Sequence, residues 1–215
     1  MSSAKDDILA RVRTVLGGAS TPAANYRSGI PRAYRHSGSL DVSSRIEMFI
    51  DRLHDYDANV HRSSESEVAV TIAQALRARA KRGLLVPSGM NREWLPDGFE
   101  FRPDDDMTYG EIDRSEGVLT GCAVAVALTG TIVLRHSALE GRRALTLIPD
   151  YHLCVVRENQ VVETVPEAIG QMAGFGTAPI TTVSGPSATS DIEMTRIKGV
   201  HGPRVLEVIL IRSQS

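Results

Sequence analysis

The residues best suited to chemistry gather near the C-terminus. Ser184-Gly-Pro-Ser-Ala-Thr-Ser-Asp-Ile-Glu193, followed by Lys198-Gly-Val-His-Gly-Pro-Arg204, places hydroxyls, a carboxylate, an imidazole and a guanidinium in one short polar stretch. His201 and Asp191 have the types needed for a histidine–carboxylate pair that moves a proton. Ser187 and Thr189 can donate to a phosphate or carboxylate, Arg204 can add a charge-assisted bond, and Gly185-Pro186 and Gly202-Pro203 punctuate the two ends of the stretch. His152 is a second imidazole at a strand end and a weaker candidate for proton transfer. The alternative is a self-bonded turn whose hydroxyls cap its own backbone and whose histidine is held by main-chain groups. On the first reading Ser187, Asp191, His201 and Arg204 converge on one polar pocket at the carboxyl edge of a sheet.

Two apolar segments must position this stretch. Pro179-Ile-Thr-Thr-Val183 precedes it as a short strand, and Val205-Leu-Glu-Val-Ile-Leu-Ile211 follows as a final strand. Upstream, the pattern alternates between helix and strand. A helix runs from a cap at or near Ser44 to about Tyr56 with Ile46, Phe49, Ile50 and Leu53 on its inner face. Asn59-Val-His61 reads as a strand, Ser64 to Arg82 as a helix with an acidic start and a basic end, and Leu84-Leu-Val-Pro87 as the next strand. A short helix over 91–95 and a strand over 99–101 follow, and then the acidic loop Asp104-Asp-Asp106, read as a solvated turn. Gly117 to Leu134 reads as two buried strands meeting at a glycine turn, with a polar loop over 135–143 after it. Ala144-Leu-Thr-Leu-Ile148 and Leu153-Cys-Val-Val156 read as buried strands, 160–162 extends the sheet, and Val165–Met172 is a helix with Pro166 in its first turn. Such alternation predicts an α/β fold, a mostly parallel sheet flanked by helices. Ahead of it, residues 1–43 form an amphipathic helix, capped by Ser3 and stopped by Gly17-Gly18, and an extended arm rich in Gly, Ser, Pro, Arg and Tyr. The α/β domain occupies 44–215.

Composition narrows the function. The chain has 215 residues, 42% of them hydrophobic, enough for one domain with a sizeable core. A formal charge of −2 leaves no electrostatic footprint for nucleic acid. No apolar run reaches membrane-spanning length and no leader pattern opens the chain, so a cytoplasmic protein is expected. Cys122 and Cys154 are the only cysteines, too few for an iron–sulfur or four-thiolate zinc site built from this chain alone. No cofactor and no metal are expected. Nucleophile-elbow, dinucleotide and phosphate-loop motifs are all missing, which disfavours serine hydrolase chemistry and conventional nucleotide binding.

The paired signature GPSATSDIE and KGVHGPR, with ALTLIPDYHLCVV at 144–156 before it, resembles the lactate utilization protein C family, which shares the LUD domain. The resemblance covers residues 44–211. It implies a fold related to glucosamine-phosphate isomerases, ribose-phosphate isomerases and coenzyme A transferases. It also implies a component of a system oxidising L-lactate to pyruvate beside separate iron–sulfur proteins. An enzyme or ligand-binding subunit acting on an anionic phosphorylated, folate or acyl substrate is the alternative, and whether this chain is itself an enzyme stays open. Thr129-Gly130-Thr131 resembles the Thr-Gly-Thr of a family motif, so these three residues join Gly185, Ser187, Thr189 and Arg204 as candidate ligand-binding groups. Leu128 stands where the family commonly has an acidic residue, and Ala123 where many relatives have aspartate. If Leu128 borders the same pocket, a glutamate there should be tolerated.

Overall fold

The computed structural model describes residues 4–15, 30–31, 33–189, 197–198 and 202–213. Two compact units divide the chain, Met1–Arg35 and His36–Ser215. The first carries helix α1 (Ala4–Val15), acidic in its first turn and with Arg13 in its last, as the helix dipole favours. Its apolar residues Ile8, Leu9, Val12 and Val15 are all exposed. The expected cap at Ser3 lies outside the described residues.

The second unit is the α/β domain. Helix α2 (Val42–Asp55) is capped three residues before Ser44, by Asp41, which accepts from the Ser44 amide at 2.9 Å. Strand β1 (Asn59–Ser63) leads through a single 3-10 turn to helix α3 (Val68–Ala78). Ser64 and Glu67 close a capping box at that entrance. Strands β2 (Gly83–Val86) and β3 (Glu100–Pro103), helix α4 (Tyr109–Asp113) and strand β4 (Val118–Thr120) follow. Then come β5 (Val124–Val126), β6 (Thr131–Leu134), β7 (Tyr151–Arg157), β8 (Val161–Val162) and helix α5 (Val165–Met172). Strands β9 (Thr181–Val183), β10 (Ala188–Thr189), β11 (Ile197–Lys198) and β12 (Val205–Ile211) complete the domain.

Six strands form one parallel sheet in the order β1-β12-β7-β4-β2-β3. The last strand in sequence, β12, sits inside it, which explains its nearly unbroken apolar run. One face packs on α3, where Val68, Ile72 and Leu76 meet Leu153, Val155, Ile209 and Ile211. The other packs on α2, where Phe49 and Leu53 meet Cys154, Val156, Val208 and Leu210. A second sheet, β8-β5-β6-β9, covers that same face and brings Ala125 and Ile132 into the same cluster. The α/β class and the parallel sheet therefore follow the sequence pattern.

Two expectations are corrected. Gly117 to Leu134 holds three strands in two sheets: the hairpin at Gly130 joins β5 to β6, but β4 belongs to the parallel sheet and the chain changes sheets after Gly121. Residues 144–148 form no strand. A 3-10 turn spans Arg143–Thr146, with Leu145 buried among Leu85, Ile112 and Val118. Both neighbours of β7 are already taken, by β12 and β4, so this segment has no ladder to join and satisfies its amides locally instead.

Candidate functional site

The sequence candidates fall into two groups. At the β5–β6 hairpin, Gly130 adopts φ 57° and lies so close to α2 that a Cβ would sit 2.9 Å from the Arg52 side chain. Gly185, at φ 85°, approaches Tyr56 one turn further along, with a hypothetical Cβ at 2.4 Å. Both glycines are required by backbone conformation and by close approach. Because β6 and β9 run antiparallel, the start of one meets the end of the other. The hydroxyls of Thr129 and Thr131 are 2.7 Å apart and those of Thr131 and Ser184 are also 2.7 Å apart, forming a ladder. Leu128 lies at the edge of this hairpin and is 46% exposed, a position where a charged side chain could stay hydrated.

Ser187 and Gly202 belong to a neighbouring turn, in which the Ser187 amide donates to the Pro203 carbonyl at 2.7 Å. Arg204 sits just ahead of β12 and reaches Asp150, just ahead of β7, at 3.2 Å. In this parallel sheet those positions mark the amino edge, so Arg204 does not lie at the expected carboxyl edge. Thr189 contributes backbone to the β10–β11 pair. Asp191 and His201 lie outside the described residues.

His152 is in the core. It is 1% exposed, and its Nε2 shares a 2.8 Å hydrogen bond with the Thr120 hydroxyl. Burial, aided by the Arg143 charge, lowers its pKa from 6.5 to about 4, so the ring is neutral. Cys122 and Cys154 are buried free thiols; burial raises both, Cys154 to about 12, so neither is a thiolate nucleophile. Among the described residues no three histidine, cysteine or acidic side chains are grouped to hold a metal ion.

The structure adds a cleft that lies at the carboxyl edge. Strand β2 is flanked by β3 on one side and β4 on the other, so the chain leaves it in one direction and returns on the opposite side. Crevices at such switch points are common ligand sites in open α/β sheets. Here the cleft has a volume of about 490 Å3 and is bounded by residues following β2 (Pro87, Ser88), β3 (Asp104, Asp106) and β6 (His136, Arg142). The Gly89 amide donates to the Ala138 carbonyl and the Gly121 amide to Leu139, so the polar loop after β6 is tied across the ends of β2 and β4. Asp104 is not a solvated carboxylate. Its side chain is only 5% exposed and holds Arg142 through two bonds of 2.6 and 2.8 Å. His136 Nε2 shares a 2.8 Å hydrogen bond with the Thr181 hydroxyl, and burial together with Arg143 lowers its pKa. Sequence reasoning identified the 104–106 and 135–143 segments as polar loops, but no signal in either segment showed that they meet.

A smaller cleft of about 310 Å3 opens at the amino ends of β2 and β3, lined by Arg82, Arg102, Arg114, Glu100 and Glu116. A separate buried carboxylate, Glu207 on β12, accepts from Arg79 Nε at 2.6 Å and pairs with His61 Nε2 at 2.9 Å. Burial alone would push its pKa up, but the hydrogen bonds from His61 and Arg79 prevail and hold it below the ordinary value.

Comparison with known proteins adds family relationships to this geometry. The family model described as LUD domain matches residues 46–211. A lactate utilization protein C of Deinococcus radiodurans is 47% identical over 175 residues, covering 80% of this chain and 82% of that protein. A lactate utilization protein C of Bacillus velezensis is 24% identical over 241 residues, covering 98% and 96%. The crystal structure of a DUF162 family protein from Deinococcus radiodurans superposes with a TM-score of 0.71 at 43% identity, covering 80% of this chain and 99% of that one.

Proposed function

The chain belongs to the LUD domain family, and from that premise we propose that it serves in lactate utilization, as a component of the system that oxidises L-lactate to pyruvate. The likeness to the Deinococcus lactate utilization protein C, extending along most of both chains, carries this reading. Oxidising lactate to pyruvate releases two electrons and two protons. Two thiols are too few for a four-thiolate cluster built from this chain alone to accept those electrons. In this reading the electrons pass to iron–sulfur partner proteins, and this chain works beside them in the cytoplasm without a cluster of its own. No described helix is long and apolar enough to cross a membrane.

Within the same reading, Thr129, Gly130, Thr131, Gly185, Ser187, Thr189 and Arg204 form the lip that holds a small carboxylate, and Asp191 with His201 moves the proton. Deletion of the gene should abolish growth on L-lactate as sole carbon source and spare growth on pyruvate. Complementation by the wild-type gene should restore growth, and by His201→Ala or Thr131→Val restore it poorly. Unimpaired growth of the deletion strain on lactate would overturn the proposal. Tagged protein should also co-purify with iron–sulfur proteins.

One observation favours a second reading, an enzyme or ligand-binding subunit for an anionic small molecule. Three arginines line the amino-edge cleft against two glutamates. Turnover of a phosphorylated or acyl substrate by the isolated chain would select this reading over the first.

A further inference from the structure

We propose that the carboxyl-edge cleft is a binding site for a neutral, polyhydroxylated group of the ribosyl or hexosyl kind, distinct from any anion site. The inference stands apart from the lactate reading, since it rests only on the groups the cleft presents.

Its size suits a small organic ligand, within the range of about 300–1,000 Å3 common for such sites. Its charge does not suit an anion. Among the groups lining the cleft, Asp104 and Asp106 are set against Arg142, because His136 has its pKa lowered and is neutral at neutral pH, and behind His136 the charges of Arg143 and Glu140 oppose one another. The guanidinium is moreover already neutralised by its bidentate bond to Asp104. A phosphate or carboxylate entering here would meet a field of its own sign.

The unused hydrogen-bonding groups are mixed in kind. Arg142 spends Nε and Nη2 on Asp104 and the Met107 carbonyl, which fixes its plane and leaves the Nη1 donors without a partner among the described residues. Ser88 and Asp106 both line the cleft, and among the described residues neither side chain has a hydrogen-bond partner, so Ser88 offers a donor and acceptor and Asp106 an acceptor. A carboxylate beside fixed donors matches adjacent hydroxyls, each of which donates once and accepts. Pro87, Leu145 and Pro179 supply apolar walls against which the C–H face of a sugar ring can pack.

The backbone gives an independent indication. Of the non-glycine residues with positive φ among those described (Asp57, Ala80, Asp106 and His136), two line this one cleft. Such conformations are costly and concentrate where geometry serves function.

The test follows backbone amide shifts of the 15N-labelled full chain during titration with methyl β-D-ribofuranoside, adenosine, free adenine, inorganic phosphate and L-lactate. Saturable shifts at Ser88, Gly89, Asp106, His136 and Gly141 are expected with one or both hydroxylated probes and not with the two anions. Ribofuranoside binding identifies a free sugar as sufficient, whereas binding of adenosine but not of free adenine identifies the ribose of a nucleoside, and equal binding of adenine would overturn the proposal. Asp106→Asn keeps a side chain that tolerates positive φ, so the fold should persist while affinity falls about tenfold or more, the size of one charge-assisted bond. Absence of saturable shifts with both hydroxylated probes, shifts of these amides by phosphate or lactate instead, or unchanged affinity in Asp106→Asn would overturn the proposal. None of these outcomes bears on growth on lactate, so the two proposals fail separately.

Discussion

The carboxyl edge of the parallel sheet is sealed at one end and open at the other. Beyond β1 and β7, Arg157 donates to Glu65 at 2.7 Å and stacks over Trp94 with 5.0 Å to the ring centroid. The Trp94 indole donates to the same Glu65 oxygen at 3.1 Å. The Gln160 side chain ties this corner to the Cys122 carbonyl at 2.7 Å and accepts from the Arg157 amide at 2.8 Å. Each polar group there is engaged by another. Beyond β2 and β3 a similar ion pair, Asp104 with Arg142, instead leaves donors and a neighbouring carboxylate uncommitted among the described residues. The difference teaches that an ion pair at a strand end can act as a plug or as a fixed wall, and that what surrounds it decides which. At Trp94 a large aromatic fills the space, whereas at Arg142 two prolines, two serines and a glycine leave it empty.

Removing the plug should have the largest effect. Trp94 is 2% exposed and packed against α3. Trp94→Ala should cost about 3–5 kcal/mol in urea unfolding, the usual range for deleting a buried aromatic. A cost near zero would mean that this end is as open as the other.

A second large effect concerns acid. His152 has a folded pKa of about 4, below its ordinary 6.5, so on acidification the unfolded chain takes up a proton before the folded one does. Its contribution is complete above about pH 6.5 and is lost as pH falls towards 4, a difference of about 3 kcal/mol. Glu207 acts in the same direction, since its pKa is depressed and its contribution disappears as pH falls through the folded value. Unfolding free energy should therefore decline steadily from pH 6.5 downwards, and a flat profile between pH 6.5 and 4.5 would contradict the sealed placement of His152.

Opening the wall at the other end should matter less. Asp104→Ala frees Arg142, which is 40% exposed and can return to water, so the expected loss is about 1–2 kcal/mol rather than that of a fully buried pair. The same variant should weaken binding of hydroxylated probes, because the guanidinium would no longer be held in one plane. Leu128→Glu should have the smallest effect, within about 0.5 kcal/mol in thermal melts at neutral pH, as expected for a surface site. A loss of several kcal/mol would place Leu128 in the core.

Much of the fold was legible because its signals are local. The capping boxes at Ser64 and Thr164, Pro166 in the first turn of α5, and the apolar runs of β7 and β12 are readable from neighbouring residues alone. The recurring signature around Ser187 and Gly202 was likewise enough to indicate the family. The site was legible only in part. Thr129, Thr131 and Gly185 do lie near one another, with Ser184 completing the ladder, but Arg204 turns to Asp150 at the opposite edge from the one expected.

What the sequence by itself determined was the alternation of elements, and with it an α/β class, since propensity, caps and hydrophobic period act over a few residues. Tertiary structure alone decided which strands became neighbours. Leu145 and Leu153 sit in equally apolar runs, yet one lies in a 3-10 turn and the other in a central strand, because only the second found partners for its backbone. Pairing across the sheet also chose where the cleft would open. Asp104 and Arg142 meet across 38 residues of chain, and His136 and Thr181 across 45. No local pattern encodes such meetings, because they depend on how the whole chain buries its apolar surface and satisfies its backbone hydrogen bonds.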